Sequence, residues 1–199
     1  MGREDSLAAS GARRALVLSR HRSPIQKLPV MHHTWSMDTL ETERLKLRHW
    51  NESDFGQFAQ YANEDYARYV GGQKDSEQAW RHMALQLGHW NLRGFGYWAV
   101  DQRDTGEFVG SAGLWQSPGW PELELGYWLL KEHQGKGYAL EACLACIRYA
   151  REVLNARSLV SYIDPRNKPS IRLAMRLGAV YEGAIELANY GSHCVFRHY

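Results

Sequence analysis

Cysteine is scarce in this sequence, three residues among 199. An odd count without regular spacing offers no disulfide framework, so reduced thiols and a cytoplasmic setting are expected. A strong excess of charge is missing too. The formal net charge is only +2, whereas nucleic acid or an anionic membrane calls for a basic stripe, so neither is expected as a partner. No apolar run reaches the roughly 18 to 20 residues that cross a bilayer. Internal repeats are absent as well.

What is present is globular: 44% hydrophobic and 23% charged residues in a length suited to one domain with its own core. Residues 1–37 stand apart. They carry Arg13, Arg14, Arg20 and Arg22, few large apolar residues and no sustained period, and read as a poorly ordered extension. Glu4 and Asp5 argue against a transit peptide, and "ALVL" is too short for a secretory core. Residues 38–199 read as a single domain.

Within it, "ERLKLRHW" alternates, with Leu45 and Leu47 on one face of a first strand. A helix begins after Asn51 or Ser53 with Phe55, Phe58 and Ala62 in phase, and a second opens at Ser76 with Ala79, Met83, Leu87 and Trp90 on one face. "GYWAVDQRDTGEFVGSAGLWQ" reads as two strands about a tight turn. In "PELELGYWLL" strand parity sets Glu122, Glu124, Gly126, Trp128 and Leu130 on one side and Leu123, Leu125, Tyr127 and Leu129 on the other. A strong helix follows, its face drawn through Leu140, Cys143, Leu144, Ile147, Arg151 and Leu154. "SLVSYI" is a strand and "SIRLAMRL" a short helix, with Pro169 in its first turn and Gly178 as its stop. "AVYEGAIEL" and "CVFRHY" are closing strands. The order predicts an α/β (α+β) domain, a mixed sheet with helices on both faces.

"HQGKGYALEA", residues 133–142, places two glycines around a lysine at a strand-to-helix junction. A helix start offers unpaired N–H groups and the positive end of the dipole, and glycines let an anion come close. The third glycine of the dinucleotide fingerprint is missing, and no "GKS" or "GKT" occurs. A phosphate-rich ligand and an ordinary glycine turn both fit the loop taken alone.

The string "QGKGYA", Gln134 to Ala139, resembles the Gln/Arg-x-x-Gly-x-Gly/Ala signature of the GCN5-related N-acetyltransferases (GNAT), in which successive amides grip the pyrophosphate of acetyl coenzyme A. "TERLKLRHW" (42–50), "GFGYWAV" (94–100), "TGEFVGSAGL" (105–114), "ELELGYWL" (122–129), "DPRNKPSIRLAMRLGA" (164–179) and "YEG" (181–183) are similar, in order and spacing, to the branch containing the ribosomal-protein alanine acetyltransferases (RimJ/RimL-like). The resemblance covers roughly residues 40–199 and implies the GNAT acyl-CoA fold, with a central, mostly antiparallel mixed sheet. It implies acetyl coenzyme A as acyl donor, held by Leu129, Leu130, Gln134, Gly135, Lys136, Gly137, Tyr138, Ala139, Asn167 and Ser170. No metal is required. A homodimer is compatible with it.

The reaction implied is direct attack of a primary amine on a thioester. The amine must lose a proton, the developing oxyanion needs an N–H donor, and the thiolate gains from a proton or hydrogen bond. The resemblance puts that donor near Leu130, where two parallel strands splay apart. Glu124 is the candidate proton acceptor, six residues or roughly 20 Å before Leu130 at strand rise, with a solvated carboxylate as the alternative. Asn167 and Ser170 match positions that contact coenzyme, Ser170 near the sulfur, and both also suit helix capping. Where many relatives carry a tyrosine as the thiol's acid, this chain has Ala174; Ala179 and Met175 replace a usual phenylalanine and glutamate.

Cys143 and Cys146 lie inside a helix and read as core packing, and His32 and His33 lack a partner motif, so no metal is assigned. His133 reads as an exposed turn histidine that could face phosphate. The loop "WQSPGWPE", residues 115–122, is expected at the mouth of an acceptor cleft whose aromatics could hold a cationic amine. The acceptor is left open between a protein N-terminus and a small amine such as an aminoglycoside, polyamine or amino acid derivative. A non-catalytic acyl-CoA-binding module is the alternative reading.

Overall fold

The computed structural model describes residues 39–187 and 189–199; the expected extension at residues 1–37 lies outside them. In chain order the elements are β1 (Leu40–Glu41), β2 (Leu45–Arg48), α1 (Phe55–Asn63), α2 (Ser76–Arg93), β3 (Tyr97–Gln102), β4 (Phe108–Trp115), β5 (Glu124–Leu129), α3 (Tyr138–Glu152), β6 (Val160–Ile163), α4 (Lys168–Arg176), β7 (Val180–Leu187) and β8 (Gly191–Arg197). One eight-stranded sheet runs β1-β2-β3-β4-β5-β6-β8-β7. Every neighbouring pair is antiparallel except β5 and β6, which are parallel and paired at Glu124↔Val160.

Strand alternation divides the core between the two sheet faces. Leu45, Leu47, Trp98, Val100, Leu125 and Leu129 pack against α3, while Trp50, Phe58, Ala99, Phe108, Trp128 and Leu130 pack with α1 and the first half of α2. Local chemistry fixes where the helices begin. Asn51 caps a single 3₁₀ turn (Glu52–Asp54) that leads into α1, Asp75 caps α2 in a reciprocal capping box with Gln78, and Gly94 ends α2 in the left-handed conformation. Each such cap is worth about 1 kcal/mol.

Two helix faces differ from the sequence expectation. On α2 the buried set is Ala79, Met83, Gln86, His89 and Trp90, with Leu87 exposed. On α3 the buried set is Ala142, Cys143, Ala145, Cys146, Tyr149 and Ala150, and Leu144 is 49% exposed. The small side chains of α3 let its backbone approach the sheet closely, a gain in packing that a count of large apolar residues does not register. Cys143 and Cys146 are fully buried in that contact.

Candidate functional site

β5 and β6 open a gap beyond their single paired position, and the site is built around it. Leu130 N–H donates to Val109 O at 3.0 Å, so alternating residues of β5 bond to β4. By the same alternation Leu129 N–H and both backbone groups of Tyr127 point toward β6, which has diverged from them. The sequence places an oxyanion donor near Leu130; the structure commits that residue's own amide to β4, and the amide facing the gap is Leu129's. Gln134 Nε2 donates to Leu129 O at 3.2 Å and ties the glycine loop to the strand end.

The loop turns on Gly135 (φ 75°) and Gly137 (φ 84°), both left-handed. A Cβ on Gly135 would meet nothing within 4 Å, so the backbone there is bare on its outer side. The first helical bond of α3 runs from Glu141 N to Gly137 O, which leaves the amides of Tyr138, Ala139 and Leu140 without intrahelical acceptors. Arg44 buttresses the loop from behind. Its Nη1 donates to Lys136 O at 3.0 Å, its Nε reaches Glu141 Oε2 at 2.7 Å, and its guanidinium stacks 4.9 Å from the Tyr138 ring centroid. Glu141 Oε1 also accepts from Thr42 Oγ1 at 2.6 Å. These contacts hold the Glu141 carboxyl below its ordinary range against the opposing effect of burial.

Loop and gap line one side of a groove of about 530 Å³, closed opposite by Tyr61, Tyr66 and Tyr69 and along α4 by Asn167, Ser170 and Leu173. Asn167 caps α4, its Oδ1 accepting from Ser170 N at 3.3 Å. A second cavity, of about 280 Å³, lies toward the other end of β5 among Trp115, Trp120, Glu124, Tyr162 and Tyr190. The two share Tyr127, Asn167 and Ser170 as a common wall. At that wall Tyr127 Oη lies 2.9 Å from Ser170 Oγ.

Glu124 is half-buried in the second cavity and accepts from Trp120 Nε1 at 2.9 Å. Burial pushes its carboxyl up to about 8 despite the lowering effect of that indole and of the Tyr162 backbone. The Tyr162 hydroxyl on the same wall is buried without a partner among the described residues. Glu122, by contrast, is tied to Arg197 at 2.9 Å and to Ser158 at 2.7 Å, which hold it below the ordinary carboxylate range. The two acids that strand parity groups together thus occupy unlike environments.

The structure brings Leu129, Gln134, Gly135, Gly137, Ala139, Asn167 and Ser170 to the donor groove and Glu124 to the second cavity. Three expected residues turn their side chains elsewhere, Lys136 and Tyr138 keeping their backbone amides in the loop. Lys136 is exposed, Tyr138 turns its hydroxyl to Gln102 Oε1 at 2.8 Å, and Leu130 packs in the core between sheet and α1. His133 is no exposed turn residue: it is 3% exposed, with Nε2 3.4 Å from Glu107 Oε1, because the 3₁₀ turn Lys131–His133 folds it inward. Sequence reading missed Tyr127, whose parity groups it with leucines although its hydroxyl reaches the shared wall. It also missed Arg44, for which an arginine opening a strand gives no signal without the long-range contact to residues 136 and 141.

Comparison with known proteins gives the same direction. Residues 44–180 match the acetyltransferase (GNAT) domain family. The Bacillus subtilis protein YkkB is 32% identical over 161 residues, covering 75% of this chain and 90% of its own. A crystal structure of an acetyltransferase from Agrobacterium tumefaciens superposes with a TM-score of 0.77 at 34% identity, covering 83% of this chain and 96% of that one. The ribosomal-protein acetyltransferase RimL in complex with coenzyme A, at 19% identity and TM-score 0.66 over 80% of this chain and 96% of that one, shares the fold.

Proposed function

The chain belongs to the GNAT acetyltransferases, acetyl-coenzyme-A-dependent enzymes that acetylate nitrogen, and from that premise we propose that it transfers acetyl by direct amine attack to a small primary amine with an aromatic or apolar body and a single positive charge. The observation that carries this reading is the pair of cavities meeting at Tyr127 and Ser170, a groove with anion-accepting backbone on one side and an aromatic chamber holding one near-neutral acid on the other.

In the donor groove, the amides from Gly135 to Leu140 and the positive end of α3 accept the pyrophosphate. The pantetheine arm lies along the gap, bonding to the backbone of Tyr127. Leu129 N–H polarises the thioester carbonyl and stabilises the oxyanion as it forms. The thioester is the acyl source; no metal enters this scheme. Tyr127 lies three residues from Glu124, about 10 Å at strand rise, so Glu124 receives the amine's proton through water rather than by direct contact.

Charge selects the acceptor. Asp164 is bound to Arg166 at 2.6 Å, Arg68 lines the chamber with a positive charge, and Glu124 is held near-neutral by burial. Without a free carboxylate cluster a polyamine or aminoglycoside leaves its extra charges unpaired, a cost that rejects it. Trp120, packed edge-on to Tyr162 at 6.0 Å and Tyr190 at 5.7 Å, offers an aromatic wall for the body of a monoamine. The test is thiol release from acetyl coenzyme A across arylalkylamines, dipeptides, spermidine and an aminoglycoside. Turnover is expected with the arylalkylamines, with spermidine at least tenfold weaker in kcat/KM. A preference for polycations would overturn the acceptor class, and binding without turnover on every amine would favour a silent module.

A further inference from the structure

We infer that Tyr127 is a positioning residue for the leaving thiolate: by occupying a lone pair of Ser170 it turns the Ser170 O–H toward the sulfur of bound coenzyme. This rests on the donor-groove reading above and adds a residue to it.

Three observations support the assignment. Tyr127 Oη and Ser170 Oγ are 2.9 Å apart, on the wall common to donor groove and acceptor chamber. A phenol is the stronger donor and an alkanol the stronger acceptor, so the shared proton belongs to Tyr127, and the one proton of Ser170 is free for a second acceptor. Such a chain polarises its members and strengthens the outer bond. Ser170 is itself fixed, because its backbone N–H is bound to Asn167 Oδ1 at 3.3 Å at the start of α4. Ala174, one turn further along α4, is 3% exposed and carries no donor. Burial also raises the Tyr127 phenol, so it stays protonated, and a donor, through the range in which thiols ionise.

In the reaction the C–S bond breaks with its electron pair on sulfur, and the Ser170 O–H donates a hydrogen bond to that pair without giving up its proton. The amine's proton leaves separately toward Glu124. The charged and titratable groups lining the cavities on either side of the pair are Glu124 on β5, His82 on α2, Asp164 and Arg166 before α4, Arg176 on α4, His193 on β8 and Arg68 across the chamber, with Cys143 of α3 acting on Tyr127. Of these, Glu124 titrates in the same window, at about 8, and the test must separate it.

The test needs no acceptor. Coenzyme A and desulfo-coenzyme A are titrated calorimetrically into the full chain and into Tyr127→Phe and Ser170→Ala between pH 7 and 9.5. If the pair favours thiolate, the ratio of the two affinities rises roughly tenfold with pH across the thiol pKa in the wild type. The ratio stays flat in both variants, and any change in binding common to the two compounds cancels in it. Desulfo-coenzyme A cancels Glu124 and the phosphates, because it meets the same groups without a sulfur. A flat ratio in the wild type, or an equal rise in Tyr127→Phe, overturns the proposal. Failure of the wild type to bind either compound overturns the donor groove and the proposal with it. Should Tyr127→Phe prove misfolded by thermal unfolding, Tyr127→Met takes its place, and a rise in that variant equal to the wild type's overturns the proposal.

Discussion

Glu124 concentrates the chemistry of single residues here. Its carboxyl titrates near 8 because burial outweighs the Trp120 hydrogen bond, so the fraction able to accept a proton grows as pH rises through 8. We expect kcat/KM to climb across that window in the wild type. In Glu124→Gln the rate falls about 100-fold and this limb is lost, leaving only the acceptor amine's own titration; a pH profile that keeps the limb in the variant would remove Glu124 from the proton path. Stability carries an independent signature. The folded pKa lies above the unfolded value of 4.5, so the folded state binds more protons between them and loses stability as pH rises from about 4.5 through 8. Glu124→Gln has no such dependence. Its Tm advantage over wild type should therefore widen from pH 5 to pH 8.5, and an advantage constant with pH would contradict the burial argument. Sequence could prefer Glu124 to Glu122 by its place along the strand but could not show that their surroundings differ. The partners that distinguish them, Trp120 for one and Arg197 for the other, lie 4 and 75 residues away.

Among elements, the glycine loop with α3 was the most legible. Two glycines at a strand-to-helix junction mark the turn without tertiary context, and both adopt the left-handed conformation that makes it; the choice of the anion reading over an ordinary turn came from the resemblance. The buried face of α3 was only partly legible, because alanines and cysteines at close packing distance carry less hydrophobic weight than the exposed Leu144. Nor was the support behind the loop. Arg44 reaches it across 92 residues of chain, and only the return of β2 beside the start of α3 joins them. Arg44→Ala frees Lys136 O and leaves Glu141 with Thr42 and a backbone amide. We expect coenzyme affinity to drop several-fold to tenfold by calorimetry with the acceptor KM unchanged, since charge-assisted bonds of this kind are worth roughly 1.5–3 kcal/mol and one partly exposed arginine realises the lower end. No change in coenzyme affinity would reduce Arg44 to a surface ion pair.

For the whole molecule, the decisive feature is one parallel neighbour pair in an otherwise antiparallel sheet. The order of strands and helices was readable from hydrophobic period and turn residues, and the resemblance supplied the expectation of splayed strands. What could not be read was that the gap opens onto two cavities with a shared wall, since that wall joins β5 to α4 across 43 residues. The sites on either side are separable in consequence: changes in the acceptor chamber should alter kcat and acceptor KM, and changes in the loop should alter coenzyme affinity. The central claim is that the amides between Gln134 and Leu140 hold the pyrophosphate. Titration calorimetry of acetyl coenzyme A with the wild type and Gly135→Asp tests it most directly. Asp tolerates a left-handed backbone better than most residues, and a Cβ on Gly135 meets nothing within 4 Å, so the variant should fold, which thermal unfolding checks. The account predicts wild-type binding and a loss of about 100-fold or more in the variant, as a carboxylate is set against the diphosphate; a folded Gly135→Asp that binds acetyl coenzyme A as tightly as the wild type would contradict it.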